Sequence, residues 1–232
     1  MKLTGTEDLT PAVVWQCYKG TSTLGSAGTR VPGSAGETSE ELEKSAGIRS
    51  LIMADGPAGL RLRQCYQVDR KTDTVYGVGV LGTLENGFLE PMEYHEDADT
   101  YYQFCTAFPV GTALAQTWNL ELIEEFGRLL RKNAGILCRS LAGAGIEYSP
   151  ESSVRQKFRV LFRGSVGVGA GCRAVTDGVQ SMSGCAVTIK HFACNNQEDN
   201  RMGVDSRVSE KALREIYLRG FEIAVKKAVH WP

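Results

Sequence analysis

Two stretches of the chain repeat their hydrophobic positions with a helical period. In WNLELIEEFGRLLRKN, Leu120, Ile123, Phe126 and Leu130 recur at spacings of three and four, the stripe of an amphipathic helix. Asn119 precedes it as an N-cap, and Glu121, Glu124 and Glu125 place negative charge where the helix dipole favours it. In VSEKALREIYLRGFEIAVKKA, Ser209 is the cap and Leu213, Ile216, Tyr217, Phe221, Ala224 and Val225 make one face. Lysines close its last turn. Two short apolar runs read instead as buried strands: Ile48–Ala54, and AVTI leading into Lys190 and His191. The order strand, helix, strand, helix predicts an α/β layer fold with a parallel sheet.

Other stretches lack a period. Residues 1–46, rich in Gly, Ser and Thr, read as an irregular lead-in. Residues 63–107 show neither period and are expected to be a surface loop insertion, with His95 solvated among acids. Arg131–Arg173 also resists assignment: RVLFRGSVGVGAGCR has arginines where a core face belongs.

Composition removes several function classes. The 232 residues are 42% hydrophobic and 23% charged, with a net charge of -1, which suits a soluble globular chain. Near-neutral charge without a basic run predicts no nucleic-acid partner, and the lack of a long apolar run predicts no membrane partner. The start, MKLTGTEDLTPAVV, has no secretory-signal pattern. Seven cysteines, irregularly spaced, predict free thiols and a cytoplasmic setting. Cys172, Cys185, His191 and Cys194 could be metal ligands, but without a C-x-x-C pair they read as core thiols, so no metal is expected. GVGVLG (Gly77–Gly82) and GVGAG (Gly167–Gly171) are glycine-rich, but neither has the flanking pattern of a nucleotide loop. Both read as ordinary loops.

Candidate chemistry concentrates at the strand ends. Asp55, in ADGPAGLR, is a carboxylate just past an apolar strand, a usual site position in α/β folds. A simple turn cap is the alternative. Lys190 and His191 end the other strand, and a polar loop leads on to Arg201.

At DGPAGLR, FPVGTALAQTWN and TIKHFACNNQEDNRMGVDSRVSEKALREIYLRGFEIAVK, the chain resembles glycoside hydrolase family 3, in its β-glucosidase branch. The resemblance covers roughly residues 33–119 and 175–227. It implies an incomplete (β/α)8 TIM-barrel-like N-terminal domain over 47–232, with substrate contacts at the C-terminal ends of strands. It also implies an oligosaccharide or β-glucoside substrate and no cofactor. Asp55 resembles the aspartate that accepts hydrogen bonds from sugar hydroxyls far from the scissile bond. Lys190 and His191 resemble the pair that binds ring hydroxyls, Arg201 a supporting arginine, and Arg61 a weaker counterpart. The family reaction is retaining hydrolysis by two carboxylates. Neither catalytic carboxylate matches a position in this chain, and a complete barrel takes roughly 250 residues. No turnover is expected from the chain alone. Xylose or arabinose preference stays open, as does sugar binding without catalysis.

The resemblance breaks in the middle. Where the family carries NIHRNPLCGRNFEYYSEDP, this chain has GIEYSPESSVRQKFRVLFRGS. Codons for Pro150–Ser165 can be chosen so that the frame one base along reads RNPLCGRNFEYYSED. A reading-frame slip over about 131–173 follows, with a compensating slip near Val175. Such a segment is expected to pack poorly, leave strand edges unpaired and favour aggregation.

Overall fold

The computed structural model describes residues 31–34, 36–37, 52–56, 58–76, 94–137, 141–142, 146–147, 164–182, 184–190, 192–194, 200 and 203–227. The chain divides into two compact units.

The first unit takes Met1–Ala54, Arg61–Cys105 and Leu137–Leu141. Strands β1 (Gly36–Glu37) and β2 (Ile52–Met53) pair antiparallel, with Glu37 opposite Ile52. Ile52 and Ala54 are buried, as the apolar run predicts. Residues 48–51 of that run and most of the lead-in lie outside the described residues.

The same unit corrects the expectation of a loop over 63–107. β3 (Cys65–Asp69) pairs antiparallel with β4 (Val75–Tyr76) on one side and β5 (Ala98–Tyr102) on the other. The strands escape a hydrophobicity pattern because a glutamine takes an inward position. Gln67 is fully buried. Its amide nitrogen donates to the His95 carbonyl and to Thr100 Oγ1, both at 3.2 Å, and its Oε1 accepts the His95 N–H at 2.9 Å. A buried amide is tolerable when it is bonded in this way. His95 is half-buried, its ring 3.8 Å from that of Tyr76, so its expected solvation is also corrected. At the β3–β4 turn, Asp69 Oδ1 accepts the Lys71 and Thr72 N–H groups at 2.8 and 2.7 Å, and the Tyr76 hydroxyl donates to Oδ2 at 3.2 Å.

The second unit takes Asp55–Leu60, Thr106–Ile136 and Ala142–Pro232. In it are helices α1 (Gly111–Gln116), α2 (Leu120–Leu137), α3 (Ser165–Gln180), α4 (Glu210–Ala212) and α5 (Leu218–Lys227). Among short strands, β6 (Leu141–Ala142) falls at the division between the units, followed by β7 (Ile146–Glu147), β8 (Cys185–Ala186) and β9 (Ile189–Lys190). β7 and β9 pair in parallel, Glu147 opposite Lys190.

Both predicted helices form at their predicted caps. Asn119 Oδ1 accepts the Leu122 N–H at 3.0 Å, and Ser209 Oγ accepts the Ala212 N–H at 3.3 Å. In α2, Ile123, Phe126 and Leu130 are buried, while Leu120 stays exposed in the first turn. A π turn, Leu213–Tyr217, separates α4 from α5. The expected single face is broken there: Ile216, within the π turn, is exposed, and beyond it Ala224 is fully buried while Val225 is exposed.

α3 corrects two further expectations. GVGAG is helix here, not loop, and the part of the middle segment within 165–173 is packed. Val168, Cys172, Val175 and Val179 are all buried, at helical spacings of four, three and four. Glycines let neighbouring helices approach α3. A Cβ on Gly127 would lie 2.5 Å from the Val175 carbonyl oxygen, and one on Gly169 would lie 2.7 Å from Ile223 Cβ. These glycines obscure the period in sequence because they pack by lacking a side chain.

Candidate functional site

Asp55 is set by a tight turn. The Gly59 N–H donates to the Gly56 carbonyl at 3.3 Å, and the Phe108 N–H donates to the Ala58 carbonyl at 2.9 Å. Gly59, at φ 108°, approaches the Thr106 carbonyl so closely that no side chain fits. The residues after Asp55 are thereby fastened to the segment that leads into α1.

Lys190 is the last residue of β9. The connection from α3 to that strand is anchored at Val187, whose N–H donates to Gln180 Oε1 at 3.2 Å. Lys190 Nζ donates to Asp55 Oδ1 at 2.6 Å, joining positions 135 apart in sequence. The side chains keep 30% and 42% exposure respectively. An ion pair this open contributes about 0–1 kcal/mol to stability. Its chemical capacity is larger. An ammonium group has three donors and a carboxylate about four acceptor sites, of which this bond occupies one each. A polyhydroxylated ligand can be gripped by both with charge-assisted hydrogen bonds.

The structure brings Asp55 and Lys190 together. Arg61 is exposed and belongs to the first unit. His191 and Arg201 lie outside the described residues, as does GVGVLG. Past Lys190, Phe192 is 74% exposed, with its ring edge-on to Phe221 at 5.2 Å.

Cys172 and Cys185 are buried, and burial pushes the Cys172 thiol up to about 12. Such a thiol is an inert packing group. Among the described residues, no cluster of three or more His, Cys, Asp or Glu side chains could hold a metal, and no helix is long and apolar enough to cross a membrane.

The described residues form a mixed α/β fold with a lysine–aspartate pair at a strand end. No family model matches the chain. It is 32% identical over 194 residues to an exo-α-(1→6)-L-arabinopyranosidase of Bifidobacterium longum, over 81% of this chain and 21% of the relative. It is 35% identical over 191 residues to thermostable β-glucosidase B of Acetivibrio thermocellus, over 80% of this chain and 21% of that one. The solved structure of β-glucosidase 3B from Thermotoga neapolitana with glucose superposes with a TM-score of 0.67 at 35% identity, over 91% of this chain and 25% of its own. The chain is thus glycosidase-like in sequence and fold. In particular, it is similar to the β-glucosidases of glycoside hydrolase family 3, as its motifs imply. It spans about a fifth of the length of the curated relatives it matches.

Proposed function

We propose that Asp55 and Lys190 are part of a sugar-binding site from a retaining β-glucosidase. The whole enzyme releases terminal β-D-glucosyl residues from oligosaccharides or glycosides. The 2.6 Å ion pair carries the reading: it presents donors and acceptors side by side, partly open to solvent, at the end of β9. The similar β-glucosidase 3B was solved with glucose. His191 and Arg201 complete the grip on ring hydroxyls in this proposal. The nucleophile and the acid/base come from sequence outside these 232 residues, so the chain binds sugar without turning it over. The fold proposed for the whole is a (β/α)8-type barrel, supported by the parallel β7–β9 pair and the strand–helix alternation around it. A cytoplasmic setting belongs to the same proposal, supported by free thiols at Cys65, Cys105, Cys172 and Cys194.

The test is isothermal titration of the 232-residue chain with glucose and, in parallel, L-arabinose. Glucose is expected to give measurable heat that Lys190→Ala abolishes. Absence of heat from the unsubstituted chain, or heat that survives Lys190→Ala, would overturn the site. A stronger signal with arabinose would keep the site and change the sugar.

A further inference from the structure

We propose that Lys190 is a glycation site: its amine condenses with the open-chain form of a free aldose, and the Asp55 carboxylate drives the product on to a stable ketoamine. The inference rests on the reading of this pair as a sugar contact for the encounter with the aldose, and on the pair's own geometry for the reaction. A neutral lysine amine adds to the aldehyde carbon C1, and loss of one water gives the imine. A base then takes the proton from C2, and its electron pair becomes the C1–C2 double bond while the C1–N π pair returns to nitrogen. A proton added at C1 and one lost from the C2 hydroxyl leave the ketoamine. The sugar is oxidised at C2 and reduced at C1, so no outside oxidant or reductant takes part.

The pair supplies both groups in contact. Lys190 Nζ lies 2.6 Å from Asp55 Oδ1, and both side chains stay partly open to solvent. C2 of the imine is two bonds from Nζ, so a carboxylate touching that nitrogen is placed to take the C2 proton, and a positioned base outperforms one in solution. Lys226 is the comparison. Its Nζ lies 2.9 Å from Glu222 Oε1, but Arg219 donates to the other oxygen of the same carboxylate at 2.7 Å. Hydrogen bonds from Lys226 and Arg219 hold the Glu222 carboxyl below its ordinary range, which weakens it as a base. Lys71, Lys132, Lys211 and Lys226 are all exposed, whereas Lys190 is half-buried. Access alone therefore ranks Lys190 behind these lysines, and the chemistry of the pair ranks it ahead of them.

The experiment incubates the full chain with isotopically labelled glucose and follows, by peptide mass spectrometry, the gain of one hexose less one water at each lysine. Ketoamine is expected at Lys190 about tenfold faster than at Lys226, with the preference lost in urea. Cyanoborohydride in a parallel sample traps the imine. Asp55→Asn should lower the ratio of ketoamine to trapped imine at Lys190 about tenfold, with circular dichroism unchanged. Weaker sugar binding alone does not move that ratio. Ketoamine forming no faster at Lys190 than at Lys226, or a ratio unchanged by Asp55→Asn, overturns the inference. Methyl β-D-glucoside, whose locked ring offers no aldehyde, separates this from the sugar-contact reading. If it slows labelling at Lys190 but not at Lys226, the sugar contact stands even where the glucose result overturns glycation. If Lys190 labels fastest without that protection, the modification stands and the sugar contact fails.

Discussion

Asp55 and Asp69 show how two aspartates, fourteen positions apart, are put to different uses by what surrounds them. Asp69 accepts two backbone N–H groups and a tyrosine hydroxyl, all within its own hairpin. The Thr72 and Lys71 N–H groups hold its carboxyl down to about 2, against an ordinary value of 3.8. Because the folded value is depressed, the stabilisation of the turn is fully present above the unfolded value and is lost as pH falls through the folded one. Carboxyl NMR should therefore find Asp69 titrating near 2, with the β3–β4 turn loosening only below about pH 4; a midpoint near 3.8 would show the turn bonds to be absent in solution. Asp55 has Lys190 as its partner instead, across 135 residues of sequence. Its position at a strand end was legible in the sequence, but the pairing was not. Only the folded chain brings these two positions within 2.6 Å, and nothing in the spacing of Asp55 and Lys190 encodes that.

Elements were legible where packing uses side chains and illegible where it uses their absence. The stripe Ile123, Phe126 and Leu130 announces α2, and the caps Asn119 and Ser209 announce two helix starts. Gln67 conceals β3 because an amide occupies a core position, and the glycines of α3 conceal a helix whose neighbours need room. The glycines also give a paired prediction. Alanine is favoured over glycine in a helix by up to about 1 kcal/mol. At Gly220 the nearest atom to an added Cβ is 3.5 Å away, an ordinary contact, so Gly220→Ala should realise part of that gain. At Gly127 the added Cβ would stand 2.5 Å from the Val175 carbonyl oxygen, which belongs to the backbone of another helix and cannot rotate aside. Overpacking of this kind costs about 1–3 kcal/mol, more than the propensity returns. Urea unfolding should thus move in opposite directions for the two substitutions, and a stabilising Gly127→Ala would mean that α2 and α3 are farther apart than described.

At the scale of the molecule, the motifs that resemble one family flank residues 131–173, which carry none of them, and we propose a reading-frame slip as the cause. Divergence by substitution would alter Pro150–Ser165 residue by residue. It would not leave RNPLCGRNFEYYSED encodable in the next frame of PESSVRQKFRVLFRGS, because codon degeneracy seldom lets one peptide conceal a specific fifteen-residue motif. The packing of Val168 and Cys172 in α3 does not oppose a slip that starts upstream. A helix needs apolar residues at three- and four-residue spacings, which a shifted frame can supply by chance, whereas a long family motif cannot arise that way. Sequencing the DNA from the codon of Gly127 onward, and translating all three frames, should show that motif one base along from the codons of Pro150–Ser165. Expression from the repaired frame should then give a more soluble protein, since a selected strand and helix would replace a segment with no selected partner. If the neighbouring frame lacks the motif, the slip is wrong, the middle of the chain is divergent protein, and the sugar site at Asp55 and Lys190 must be judged by its binding alone.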